Sequence, residues 1–98
     1  MFVGTLRIDV LLGDVRSLKE KRSLVRPLIS HVKRRFDVSV AEVGHLDVHR
    51  RAEIGVAMTA GDAAHCREVL DECERAVVAR PELEVLSVRQ RMFNEEDL

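Results

Sequence analysis

Ninety-eight residues, 46% of them apolar, suffice for one hydrophobic core and not two. The charged fraction of 34% is nearly balanced in sign, with a formal net charge of -1, which excludes a uniformly basic nucleic-acid coat and directs attention to local patches. Two cysteines, no leader-like N-terminus and no apolar run near the roughly 20 residues of a membrane span argue against a disulfide scaffold or a spanning protein, and predict a soluble, cytoplasmic one.

Phe2, Gly4, Leu6, Ile8, Val10 and Leu12 form a wholly nonpolar face at a period of two, which predicts a long strand over Phe2 to Leu12. Ser17-Leu18-Lys19-Glu20 then has the form of a capping box, in which the Ser hydroxyl and the Glu carboxylate each satisfy a first-turn N–H. Leu18, Val25, Leu28, Ile29, Val32 and Phe36 continue at helical spacing. Pro27 removes the bond to the Ser23 carbonyl and predicts a kink in this helix.

From Val38 to Val43 and from Ala52 to Thr59 the period returns to two, with Val38, Val40, Ala52, Ile54, Val56 and Met58 pointing one way. The connection from Gly44 to Arg50 is longer than a two-residue turn and joins antiparallel neighbours. Asp62 suits an N-cap, and a second helix to about residue 80 turns Cys66, Val69, Leu70, Cys73, Ala76 and Val77 inward before Pro81 ends it. Cys66 and Cys73 lie seven residues apart on that face, the spacing of inert core thiols. A last strand over Glu84 to Met92 sets Leu86, Val88, Gln90 and Met92 against Val85, Ser87, Arg89 and Arg91. Residues 94–98 form an acidic tail expected to fray.

The order βαββαβ with right-handed crossovers predicts an α+β, ferredoxin-like sandwich over residues 1–93. Two helices lie on one face of a four-stranded antiparallel sheet, and the first and third strands, the most apolar, take its centre.

Charge is distributed unevenly along this frame. Between Arg16 and Phe36 stand eight of the sixteen cationic residues against Glu20 alone. On a helical wheel Lys19, Arg22, Arg26 and Lys33 fall within about 60 degrees of one another, a ridge about 21 Å long at 1.5 Å per residue. Lys33, Arg34 and Arg35 also suit the helix C-terminus. Like charges at i,i+3 and i,i+4 cost about 0.2 to 0.5 kcal/mol each, so stability alone would have interleaved acids. The ridge is therefore the expected phosphate-binding surface, with Lys21, Arg34, Arg35 and Arg51 as second-rank contributors.

The sheet face away from the helices is expected to present Thr5, Arg7, Asp9, Ser39, Ala41, Glu53, Gly55, Ala57, Thr59, Arg89 and Arg91. With no Trp or Tyr and only three Phe, base stacking on that face is not expected. The same face suits packing against a second subunit. His45-x-Asp47-x-His49 has the look of a metal triad on an extended segment, but it lacks a fourth ligand in sequence, and Asp47 pairing with Arg50 or Arg51 explains it as well. No metal, cofactor or catalytic residue is expected.

Three stretches together resemble the YlxP-like family of small bacterial proteins of unknown function. They are Ser17 to Arg22, Arg35 to Val43, and His45, Asp47, Arg51-Ala52 and Gly55. The resemblance spans nearly the whole chain and implies a ferredoxin-like fold. It also implies a role near ribosome maturation or translation, because such genes commonly neighbour those for initiation and ribosome-binding factors. His49 and Arg50 depart from the family's usual aromatic and Gln, and Pro27 is atypical of its helix.

The expected function is that of a noncatalytic RNA-associated protein, a ribosome-maturation or translation accessory whose partner is RNA or a ribosomal particle. The alternatives are a protein-interaction module acting as a homodimer and a small metal-dependent enzyme.

Overall fold

A computed structural model describes residues 1–98. Its elements run β1 (Phe2–Leu12), α1 (Leu18–Phe36), β2 (Ser39–Gly44), β3 (Arg51–Ala60), α2 (Ala63–Val78), β4 (Leu83–Asn94) and a terminal 3-10 turn (Glu95–Asp97). The four strands form one sheet in the order β2-β3-β1-β4, every neighbouring pair antiparallel. The two apolar strands, β1 and β3, hold the centre as their composition requires.

The core lies between the sheet and the two helices. Leu6, Ile8, Val10 and Leu12 of β1, Ala52, Ile54 and Val56 of β3, and Val38 and Val40 meet Val25, Leu28 and Val32 of α1 and Cys66, Leu70, Cys73 and Val77 of α2. At about 1.5 to 3 kcal/mol for each large side chain withdrawn from water, this cluster supplies most of the drive to fold. Gly4 sets the closeness of one contact, because a Cβ there would overlap Cys66 Sγ and stand 2.7 Å from Leu70 Cδ1. Any side chain at this position pushes α2 off β1.

Capping follows the sequence with one change. Ser17 Oγ accepts from the Glu20 N–H at 3.1 Å, but the Glu20 carboxylate reaches past Ser17 to the N–H of Arg16 at 2.9 Å. Asp37 closes α1 in the left-handed region at φ 54, tolerated by a short polar side chain, and its N–H donates to the Lys33 carbonyl at 3.1 Å. α1 runs unbroken across Pro27, and Val25, Leu28 and Val32 keep helical spacing on both sides of it. The proline faces solvent, where its ring meets no packed neighbour and only the Ser23 carbonyl loses a partner.

One expectation at the chain's end is corrected. A β-bulge between Asp9 and Val10 shifts the register of β4, so that Val85 pairs with Val10 and Leu83 with Leu12 on the core side. The extra residue reverses the alternation, and Leu86, expected to point inward, is exposed. At the tail the Glu95 N–H donates to the Met1 carbonyl at 3.0 Å, and Asn94 Oδ1 accepts from the Glu96 N–H at 3.2 Å.

Candidate functional site

The basic residues of α1 separate into distinct surfaces. Val25, Leu28 and Val32 define the buried direction of the helix, and Lys19, Arg22, Arg26 and Lys33 lie together on one exposed flank of it. Lys19, Arg22 and Arg26 line a shallow groove of ≈ 370 Å³ with Ser23 and Pro27. None of the four cations forms a salt bridge. Glu20, the one acid nearby, is occupied with the Arg16 N–H.

Arg34 turns back on its own helix, its Nε donating to the Ser30 carbonyl at 3.3 Å. Arg35 leaves the ridge altogether. Its guanidinium lies 5.3 Å from the Phe36 ring centre, in a groove between the helices shared with His31, Arg75 and Arg80.

Lys21 is the clearest correction. It lies on the buried stripe, one turn before Val25, and is 2% exposed. Its ammonium donates to the carbonyls of His45 at 2.7 Å and Val48 at 2.8 Å and stands 2.6 Å from Glu42 Oε2. Two backbone carbonyls and the Glu42 carboxylate surround the ammonium, which is buried away from any phosphate at the surface. Glu42 Oε2 is fully buried and accepts no hydrogen bond, so the adjacent lysine charge compensates it. Lys21 therefore fastens the β2–β3 connection to α1, and leaves the set of candidate RNA contacts.

Arg51 is likewise committed. It forms a two-point pair with Asp9, Nε donating to Oδ1 at 3.3 Å and Nη2 to Oδ2. Beside them sits His45, at φ 56, with Nε2 3.4 Å from Arg51 Nη2 and 3.8 Å from Asp9 Oδ2. Arg50, instead of pairing with Asp47, donates to the carbonyls of Leu12 and Gly13 at 3.3 and 3.1 Å. Asp47 and His49 stay exposed on the turn. No group of three or more His, Cys, Asp or Glu side chains is close enough to hold a metal ion.

On the helix-free face, Arg7 is paired with Glu53 at 2.8 Å, whereas Arg89 and Arg91 have no acidic partner. They border a concavity whose base includes Ala41, Gly55 and Ala57. Phe93 joins them. Sequence reading ended the last strand at Met92 and left this ring off the face, but β4 continues to Asn94 and sets Phe93 opposite Val3. The alternation Arg89, Arg91, Phe93 was the signal available in the sequence.

Cys66 and Cys73 are both free and fully buried. Burial pushes the Cys66 thiol up from its ordinary value, against a smaller opposing effect of Arg67. Burial, with Glu72 adding to it, pushes Cys73 up to about 11. Neither is a nucleophile near neutral pH.

Fold and surface together define a small ferredoxin-like α+β domain with an unpaired cationic helix flank. The chain belongs to the family described as Protein of unknown function (DUF503), whose model matches residues 3–90. It is 26% identical over 91 residues to the "Uncharacterized protein YlxP" of Bacillus subtilis (strain 168), covering 93% of this chain and 99% of that one. Among solved structures it is similar to the de novo designed protein Foldit4, with a TM-score of 0.55 and 15% identity over 96% of this chain and 98% of that one. It is also similar to the de novo designed ferredoxin-fold protein LFR1 1, with a TM-score of 0.56 and 8% identity over 96% and 87%. These two likenesses concern the fold alone. Neither helix of the chain is long and apolar enough to cross a membrane.

Proposed function

We propose that this chain is a noncatalytic RNA-associated protein that holds strand phosphates along the outer flank of α1. The observation that carries the reading is the groove lined by Lys19, Arg22 and Arg26, three cations with no acid to neutralise them. Lys33 extends the row by about two turns toward the helix end. Repulsion along such a row is relieved by a polyanion laid over it, and released counterions supply the affinity. On the family resemblance alone, we take the RNA to belong to ribosome maturation or translation.

The test is charge reversal within the groove. Arg22→Glu together with Arg26→Glu is expected to keep the fold, since both side chains are exposed, and to lower affinity for a long single-stranded RNA at least tenfold. A folded variant that binds that RNA as tightly as the unmodified chain would sink the proposal.

A further inference from the structure

We propose that the helix-free sheet face is a second ligand site, taking a nucleoside phosphate with its base against Phe93 and Arg91 and its phosphate on Arg89 and Arg7. The inference extends the RNA reading and rests on it for the strand, but its chemistry stands on a different surface. Arg7 and Arg89 are direct cross-strand partners on β1 and β4. Like charges in that position destabilise a sheet. Glu53 offsets one of the two, at 2.8 Å from Arg7, and nothing offsets Arg89 or Arg91. An anion bound on this face supplies the missing counter-charge.

The remaining features fit a nucleotide better than a bare phosphate. The Arg91 guanidinium lies over the Phe93 ring, 4.9 Å from its centre, so a base that stacks on either outer face extends an existing pair of planar groups. Gly55 and Ala57 leave a concavity of ≈ 420 Å³ next to them, within the range of small-ligand sites. Its floor is kept low by close packing: a Cβ on Gly55 would stand 2.7 Å from Val43 Cγ1.

The shared chemistry is a base with a phosphate, which either a single strand or a free nucleotide provides. A fluorescein-labelled hexauridylate, too short to follow both surfaces at once, separates this site from the α1 groove. We expect it to shift the amide resonances of Thr5, Gly55 and Ala57. Followed at those three amides, Arg89→Gln with Arg91→Gln, and separately Phe93→Leu, are each expected to weaken binding at this site at least tenfold, while Arg22→Glu with Arg26→Glu leaves the same amides shifting. A hundredfold excess of uridine monophosphate that displaces the probe marks a nucleotide site. Failure to displace a probe that still shifts those amides marks a strand site. Absent amide shifts, or sheet-face variants binding within twofold of the unmodified chain, overturn the inference. So does a dimer in sedimentation whose dissociation alone moves these resonances. The α1 proposal fails on its own evidence, when its charge-reversal variant retains long RNA, so the two can fall separately.

Discussion

A lysine ammonium taken out of water must recover its hydration from protein groups, and Lys21 does so with two backbone carbonyls and the Glu42 charge. Replacing it with methionine preserves length and apolar contact but strands the buried Glu42 Oε2. Lys21→Met is therefore expected to cost about 3 to 5 kcal/mol, read as a fall in the urea midpoint, and to leave RNA affinity of the folded fraction within twofold. Adding Glu42→Leu removes the stranded charge and should recover part of the loss; no recovery would mean the two carbonyl bonds carry the stability. The thiols give a pH prediction. In the unfolded chain Cys73 titrates near its ordinary 9.0, and in the folded chain at about 11. The folded state thus binds the extra proton between those values, so this contribution is complete below pH 9 and is lost as pH rises from about 9 toward about 11. Cys73→Ser should flatten that part of the stability profile, and maleimide should label the native protein at pH 7 only as it unfolds.

At the scale of elements, α1 is one helix with a defect at its middle. Pro27 is exposed, so Pro27→Ala removes no packing and restores a donor to the Ser23 carbonyl. The expected gain is about 1 to 3 kcal/mol, seen as a higher thermal midpoint; an unchanged or lower midpoint would show that the proline is already accommodated without cost. Periodicity made all six main elements and their order legible, because both the strand and helix periods have a buried face to enforce them. The bulge was not legible, since alternation in β4 reads equally well from either parity until its partner strand is fixed. Lys21 was within reach. Its place four residues before Val25 and seven before Leu28 put it on the core stripe, but an ammonium is assumed to be solvated until a carboxylate from a distant strand is known to meet it. The same holds for Arg51 and Asp9, which lie 42 residues apart and meet only through β1–β3 register.

For the whole molecule, the relevant property is segregation of charge rather than its sum. The segment from Arg16 to Phe36 carries eight cations against one acid, and the remaining residues eight cations against sixteen acids. Such a dipolar surface orients a polyanion toward α1. With four ridge contacts at about 0.7 each, log K for single-stranded RNA should fall against log salt with a slope of about -2.8. The Arg22 and Arg26 reversal should reduce that slope as well as the affinity. The four-residue ridge was legible in the sequence, but the fate of the second-rank cations was not, because Lys21, Arg34, Arg35 and Arg51 are each engaged elsewhere. One consequence of the bulge reaches beyond the single molecule. β4 is a twelve-residue edge with Leu86 and Val88 exposed, a surface on which foreign strands nucleate aggregates. The misaligned ladder opposite Asp9 and Val10 interrupts that template within its length. An incoming strand would meet a regular run that ends at Ser87, and Val85 and Leu83 beyond it are out of step with that run.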